Sequence, residues 1–310
     1  MPDESSGKTP LAPGLYVVST PIGNLGDITL RALEVLRGVD RIACEDTRQT
    51  QKLLNHFQIA TPTVSCHEHN EHERARELVK SLTAGARIAL VSDAGTPAVS
   101  DPGSWLVHAA IAAGITVIPI PGANAALAAL AASGLPSTDF RFLGFLPEKA
   151  GARRTFLESL TQELTQEFRG SFRDDRNETR RTLVFYEAPH RILETLADLE
   201  AIFGAGLRIS LARELTKLHE EFLRGTVAEV RSALTGRERV RGEMTLVVEV
   251  PPRGAEKESR PVESLAEQIA RMQSEDGIDE KEALKRVARE RGQSKSEVYR
   301  ELQRSRQRRG

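Results

Sequence analysis

The sequence predicts an α/β fold: two compact α/β domains followed by a small helical module at the carboxyl end. Three observations predict it. Apolar runs without polar alternation recur along the chain, as in strands covered on both faces of a sheet. Several are followed by a loop rich in glycine and proline and then by a helical stretch, the unit that sets ligands at the carboxyl edge of an α/β sheet. Finally, 310 residues, 39% hydrophobic and 28% charged, suffice for two cores and an appendage. The organising stretch is Arg87 to Gly103. Ile88 to Val91 is a buried strand, the loop that follows carries Asp93, Gly95, Pro97, Asp101, Pro102 and Gly103, and a helix begins near Trp105. Glycine lets backbone approach a ligand closely, and proline stiffens the rest.

Taken in order, Met1 to Pro13 is polar and reads as a disordered lead without the basic start and apolar core of a signal peptide. Leu15 to Ser19 is the first strand, followed by the turn-forming loop Thr20 to Asp27. Thr29 is an N-cap for a helix through Arg37, with Leu30, Leu33, Val35 and Leu36 on its buried face. Ile42 to Cys44 is a short strand with Glu45, Asp46 and Arg48 at its carboxyl end. Val64 to His72 reads as a polar loop beside the crevice, with His67, His69 and Asn70 on the substrate side. Glu68 and Glu71 interrupt any zinc spacing there, so no metal is assigned. A helix over Glu73 to Leu82 leads into the Ile88 strand.

The pattern then repeats: strand Thr116 to Ile120, tight turn Pro121-Gly-Ala-Asn124, and an alanine-rich helix from Ala125 to Ala132. Two such loops at neighbouring strand ends would make one crevice. An aromatic strand, Phe140 to Phe145, and a charged helix, Arg153 to Phe168, follow. Gly170 to Arg181 reads as a mobile insertion. Thr182 to Glu187 is a buried strand ending in Tyr186 and Glu187, and a helix runs from Ile192 to Phe203. Leu207 to Arg213 is a strand capped by Glu214 to Lys217, and Gly242 to Val250 is the last strand. Three strand ends rich in Glu and Arg suggest a functional rim.

These readings divide the chain into a lead over 1–13, α/β domains over 14–122 and 123–250, a linker over 251–260 and a tail over 261–310. The net charge is −1, yet residues 281–310 hold 11 Lys+Arg against 4 Asp+Glu. Leu284, Val287 and Ala288 form one apolar face of that tail, and Val298 and Leu302 another. Gly292 sits in the turn of a helix-turn-helix-like pair whose basic outer face suits nucleic acid. Two cysteines, Cys44 and Cys66, fit a reducing compartment. No run reaches the ~18 apolar residues of a membrane span, so a cytoplasmic protein is expected.

Seven motifs carry a resemblance. They are Ser19-Thr-Pro-Ile-Gly-Asn-Leu-Gly-Asp-Ile-Thr29, Glu45-Asp-Thr-Arg48, His67-Glu-His-Asn-Glu71, Val91-Ser-Asp-Ala-Gly-Thr-Pro97, Pro121-Gly-Ala-Asn124, Phe185-Tyr-Glu-Ala-Pro-His-Arg191 and Ala212-Arg-Glu-Leu-Thr-Lys217. In this order they resemble the bacterial small-subunit rRNA cytidine 2′-O-methyltransferase family of the tetrapyrrole methylase superfamily, over about residues 14–250. The resemblance implies S-adenosyl-L-methionine as cofactor, held in a cleft between two α/β domains. It also implies a homodimer and a cytidine of 16S rRNA, in the decoding region of the small ribosomal subunit, as target. By motif position the donor would lie against Gly23, Asp93, Ala94, Gly95, Thr96, Pro97, Pro121, Gly122, Ala123, Asn124, Ala125, Tyr186, Met244 and Thr245.

A ribose hydroxyl must lose its proton when it attacks, which a positioned carboxylate can accept. Glu45, Asp46, Glu187 and Glu214 are the candidates, and Arg48, Arg191, Arg213 and Lys217 are candidates for RNA phosphates. Porphyrin-type members carry acids where this chain has Pro21-Ile-Gly-Asn24 and Gly95-Thr-Pro97, which argues against a small tetrapyrrole-like substrate. The remaining alternative is a non-catalytic RNA-binding assembly factor.

Overall fold

In the computed structural model, which describes residues 11–67, 70–170, 181–250, 269, 279–290 and 298, the missing polar alternation of the early strands has a direct cause. β1 (Gly14–Val18) sends Leu15 into a layer with Leu78, Leu82, Leu106 and Ala110. It sends Tyr16 and Val18 into the opposite layer with Ala32, Val35, Leu36 and Leu54. Both faces are covered, so both must be apolar. The same division holds for β2 (Arg41–Cys44) and β4 (Arg87–Val91).

With β3 (Thr63–Ser65) and β5 (Val117–Ile120), these strands form a wholly parallel sheet in the order β3-β2-β4-β1-β5. Helices α1 (Leu30–Gly38) and α2 (Thr47–His56) cover one face, and α3 (Glu71–Thr83) and α4 (Ser104–Ala112) the other. The Thr29 hydroxyl accepts from Ala32 N–H at 3.1 Å and caps α1 as expected.

A second five-stranded sheet has the order β6-β7-β10-β8-β9. Its strands are β6 (Phe140–Phe145), β7 (Arg181–Glu187), β8 (Arg208–Arg213), β9 (Glu221–Thr226) and β10 (Met244–Val250). Only β6 and β7 pair in parallel; β10 runs antiparallel to β7 and β8, and β8 to β9. Every residue of β10 is buried, because helices lie on both sides of it. α6 (Ala150–Gly170), α7 (Ile192–Phe203) and α8 (Val227–Thr235) pack on one face through Leu157, Leu160, Leu196, Leu199 and Val230. α5 (Ala125–Ser133) packs on the other through Ala126, Ala129 and Leu130 against Val184, Ala212 and Val247. α6 is fastened to α7 by Arg153, whose Nε donates to Asp198 Oδ2 at 2.7 Å with both side chains buried.

The chain divides into two units, Met1–Pro252 and Arg253–Gly310. In the second, α9 (Glu280–Glu290) buries Ala283, Leu284, Val287 and Ala288 with Ile269 and Val298. Leu302 and the rest of the expected helix-turn-helix lie outside the described residues, as do the 171–180 part of the insertion and residues 1–10 of the lead.

Several expectations need correction. Residues 11–13 do not belong to a disordered lead: Tyr16 donates its hydroxyl proton to Ala12 O at 2.6 Å, and Leu11 packs against the α1 layer. Leu30 is 81% exposed, because it opens α1 on the side away from the sheet that buries Ala32, Val35 and Leu36. β4 and β5 are not neighbours, since β1 runs between them. Part of the expected polar loop after Val64 is β3, and α2, β9 and α8 were not foreseen. α2 buries only Thr50 and Leu54, and no residue of the edge strand β9 is fully buried, so neither carries a strong apolar period.

Candidate active site

The loops leaving β1, β4 and β5 meet over the end of β1. Thr20 N–H donates to Gly95 O at 2.8 Å, and Gly95 N–H donates back to Thr20 O at 3.0 Å. Thr96 Oγ1 lies 3.0 Å from Ser19 Oγ and donates to Ala123 O at 3.3 Å. Gly95 has φ +80, a conformation that favours glycine, and a Cβ on Gly122 would stand 2.9 Å from that of Ser19. The intervening strand therefore serves as the post to which both loops are tied. The Asn124 side chain then caps α5, accepting from Leu127 N–H at 3.0 Å.

Facing these loops across a cleft of about 360 Å³ are residues of the second sheet. Tyr186, Ala212, Met244 and Thr245 line it, with Tyr186 set edge-on between Phe142 and Phe145, centroids 5.0 and 5.5 Å away. From the first sheet's loops come Ile22, Ala94, Gly95, Thr96, Val99, Ser100 and Asp101, and from the head of α5 Asn124 and Ala125. The lining includes Asp101, Glu187 and Glu243 but no lysine, arginine or histidine. Its volume is within the ~300–1,000 Å³ of small-molecule sites.

Eight of the fourteen residues expected to hold the donor are therefore gathered in one place: Ala94, Gly95, Thr96, Asn124, Ala125, Tyr186, Met244 and Thr245. The other six stand outside the lining. Gly23 is packed against Leu215 to Lys217, where a Cβ would collide with Lys217 Cγ and the backbone of Leu215. Asp93 is turned toward β2, its Oδ1 accepting from Asp46 N–H at 3.1 Å. Pro97 is buried in its own loop, while Pro121, Gly122 and Ala123 belong to the clasp rather than the surface.

The acids are mostly committed to structural partners. Asp46 caps α2 by accepting from Arg48 N–H at 2.8 Å and also binds the Arg48 guanidinium at 3.0 Å. The Arg48 side chain holds its carboxyl below the usual carboxylate range. Glu45 is half-buried at the end of β2, outside the lining. Glu187 lines the cleft but is fully engaged: Oε1 accepts from Arg191 Nε at 2.6 Å and from Ala188 N–H at 2.8 Å, and Oε2 from the Thr195 hydroxyl at 2.6 Å. Glu214 Oε1 accepts from Lys217 Nζ and Glu243 N–H, at 2.8 and 2.9 Å, and Lys217 keeps that carboxyl lowered.

The cations fare similarly. Arg191 is buried and also donates to Leu146 O at 3.1 Å, so it holds a strand-to-helix corner and does not reach a phosphate. Arg213 pairs with Glu221 at 3.0 Å, and Lys217 Nζ sits between Glu214 and Glu243, 2.8 Å from each. Arg48 is mostly exposed, beside Gln51, Lys52 and Asn55 in a shallow groove. His67 N–H donates to Asn70 Oδ1 at 2.8 Å in the turn before α3, and His69 lies outside the described residues.

Sequence reasoning missed Asp101 as a functional candidate. Burial, chiefly, pushes its carboxyl up to about 6; the Ser92 hydroxyl opposes that shift and the Asp93 charge adds to it. An acid in the loop after the central strand was the signal available, but among loop-forming residues it read as punctuation.

The profile of the Tetrapyrrole (Corrin/Porphyrin) Methylases family matches residues 14–231. A protein of Halalkalibacterium halodurans named ribosomal RNA small subunit methyltransferase I is 48% identical over 295 residues, covering 92% of this chain and 93% of that one. A protein of the same name from Synechocystis sp. is 46% identical over 288 residues, covering 92% and 95%. Among solved structures, the methyltransferase CobJ superposes with a TM-score of 0.51 at 21% identity, over 76% of this chain and 93% of its own, a likeness of fold.

Proposed function

The chain belongs to the tetrapyrrole (corrin/porphyrin) methylase family, and from that premise we propose that it is an S-adenosylmethionine-dependent methyltransferase of small-subunit rRNA, acting on the 2′-oxygen of a cytidine in the decoding region. The relatives' shared name supports rRNA as the substrate class. The observation that carries the assignment of the cleft is its lining: small and apolar residues, three carboxylates and no cationic side chain. Such a lining suits a donor that brings a sulfonium and an ammonium charge with an adenosine. The bound donor supplies an electrophilic methyl group.

The chain's own residues do the rest. Ala94, Gly95 and Thr96 present loop backbone on one side, with Asn124 and Ala125 at the head of α5. Tyr186, Met244 and Thr245 form the apolar wall. Alignment and exclusion of water are what a protein adds to such a displacement. RNA phosphates are proposed to run past exposed Arg48 and Lys52.

The deciding experiment is transfer of tritiated methyl from the donor to 30S subunits, followed by nuclease mapping. Label on a cytidine ribose is the expected result; label on a base, or on no RNA, overturns it. We also propose a homodimer, because Leu30, Leu127 and Leu218 expose large apolar side chains. Sedimentation is expected at the mass of two chains, and a monomer at micromolar concentration would refute it. Among the described residues no helix is long and apolar enough to cross a membrane, and the cytoplasm is the proposed location.

A further inference from the structure

We infer that the Asp101 carboxylate is the base that takes the proton from the attacking ribose hydroxyl, an inference that rests on the methyltransferase reading of the same cleft. Asp101 lies in the loop between β4 and α4 and lines the cleft with Thr96, Asn124 and Tyr186. The other acids of the lining are held by cations. Glu187 is locked to Arg191, and Glu243 Oε2 accepts from Lys217 Nζ at 2.8 Å. Asp46 and Glu214 are likewise paired, and Glu45 stands outside the cleft. Asp101 instead leans on the neutral Ser92 hydroxyl, which leaves its basicity undiminished by a salt bridge.

Its loop is built to keep it in place. Ala98 and Ser100 both take positive φ, 65 and 61, a conformation side-chain-bearing residues adopt only when their surroundings impose it. A Cβ on Gly144 of β6 would stand 2.9 Å from Ser100 Oγ, so the second sheet presses on the loop one residue from the carboxylate. Ala98 N–H donates to Pro102 O at 3.4 Å and closes the turn around Asp101.

The titratable groups around it are Asp93 in its own loop, Tyr186 and Glu187 on β7, and Glu243 across the cleft. Burial and the Asp93 charge raise its proton affinity, so near pH 7.5 it is ionised yet more basic than a free carboxylate. In the step, the hydroxyl O–H bond breaks toward an Asp101 oxygen. The ribose oxygen uses its electron pair to bond the methyl carbon while the carbon–sulfur bond opens with its pair to sulfur. Neutral Asp101 then returns its proton to water.

The test uses the full chain with Asp101→Asn and Asp101→Glu. Turnover on 30S subunits is expected to fall about 10²- to 10⁴-fold in Asp101→Asn, with S-adenosylmethionine affinity by calorimetry within about threefold of wild type. Asp101→Glu is expected to recover part of the rate. The wild-type rate should carry an acid limb near pH 6 that Asp101→Asn lacks. Two readouts do not depend on turnover. The Asp101 carboxyl carbon should titrate near pH 6 by NMR. Because its folded value lies above the model value of 3.8, the ionised carboxylate weakens the fold as pH rises through about 6. Asp101→Asn should therefore melt higher than wild type above pH 6 and alike below pH 4.

Turnover of Asp101→Asn within threefold of an active wild type overturns this inference alone. So does a tenfold loss of donor affinity with saturated turnover kept, which would make Asp101 a donor ligand. A wild type that methylates no small-subunit RNA overturns the functional reading and the inference together, even where the titration and the melting shift are found.

Discussion

Asp198→Asn is expected to lower the unfolding free energy by about 3–5 kcal/mol, the cost of leaving one partner of a buried ion pair uncompensated. Arg153 is 1% exposed, and Asp198 is its near-buried partner at 2.7 Å; the same carboxylate also accepts from Arg154 Nε at 2.6 Å. Asparagine keeps the shape but removes the charge and one acceptor, so Arg153 stays buried between α6 and α7 without its counter-ion. For a unit of this size the melting temperature should fall on the order of 10 °C. Thermal and denaturant unfolding check it; a change below ~1 kcal/mol would show that the guanidinium finds water or another acceptor. Replacing Arg153 and Asp198 together by apolar residues of similar volume is expected to recover much of the loss.

Glu187→Gln carries a comparable penalty, about 3–5 kcal/mol, for the same reason. Its carboxylate is buried and binds Arg191, the Ala188 amide and the Thr195 hydroxyl with both oxygens. Those bonds fold the corner between β7 and α7, which presents Ala188 and Pro189 to the cleft. The substitution is therefore expected to act through stability: a lower melting temperature, with turnover per folded molecule within a few-fold of wild type well below the melting point. A base would behave the opposite way, losing 10²-fold or more in rate with little change in stability. Measuring turnover and unfolding on the same preparation separates the two, and a stable, inactive Glu187→Gln would return Glu187 to the catalytic role its position in the sequence suggests.

The contrast between Glu187 and Asp101 shows where sequence reasoning reaches its limit. Both acids follow a strand in chemistry-bearing motifs. Whether such an acid is a structural anchor or a free base depends on which cations fold onto it, and Arg191 and Thr195 reach Glu187 only because α7 starts at the next turn. Gly23 makes the same point for the donor. A glycine in the first loop reads as room for a ligand, whereas the space it leaves is taken by Lys217 and the Leu215 backbone from the second sheet. Gly95 was legible because its role is local: the positive φ and tight bend follow from the loop's own composition.

The sequence by itself determined the strand–loop–helix units, the doubly covered first sheet, the small-residue loops and the family, because these follow from hydrophobic period, turn chemistry and motif order, all properties of neighbours along the chain. Only the tertiary structure decided that β1 stands between the two loops and clasps them together, that the donor-side wall comes from the antiparallel strand β10 and its neighbours, and that Asp101 faces the cleft while the other acids are neutralised. Those outcomes depend on strand order and on charge pairs between residues far apart in the chain, and neither leaves a period or a spacing to read.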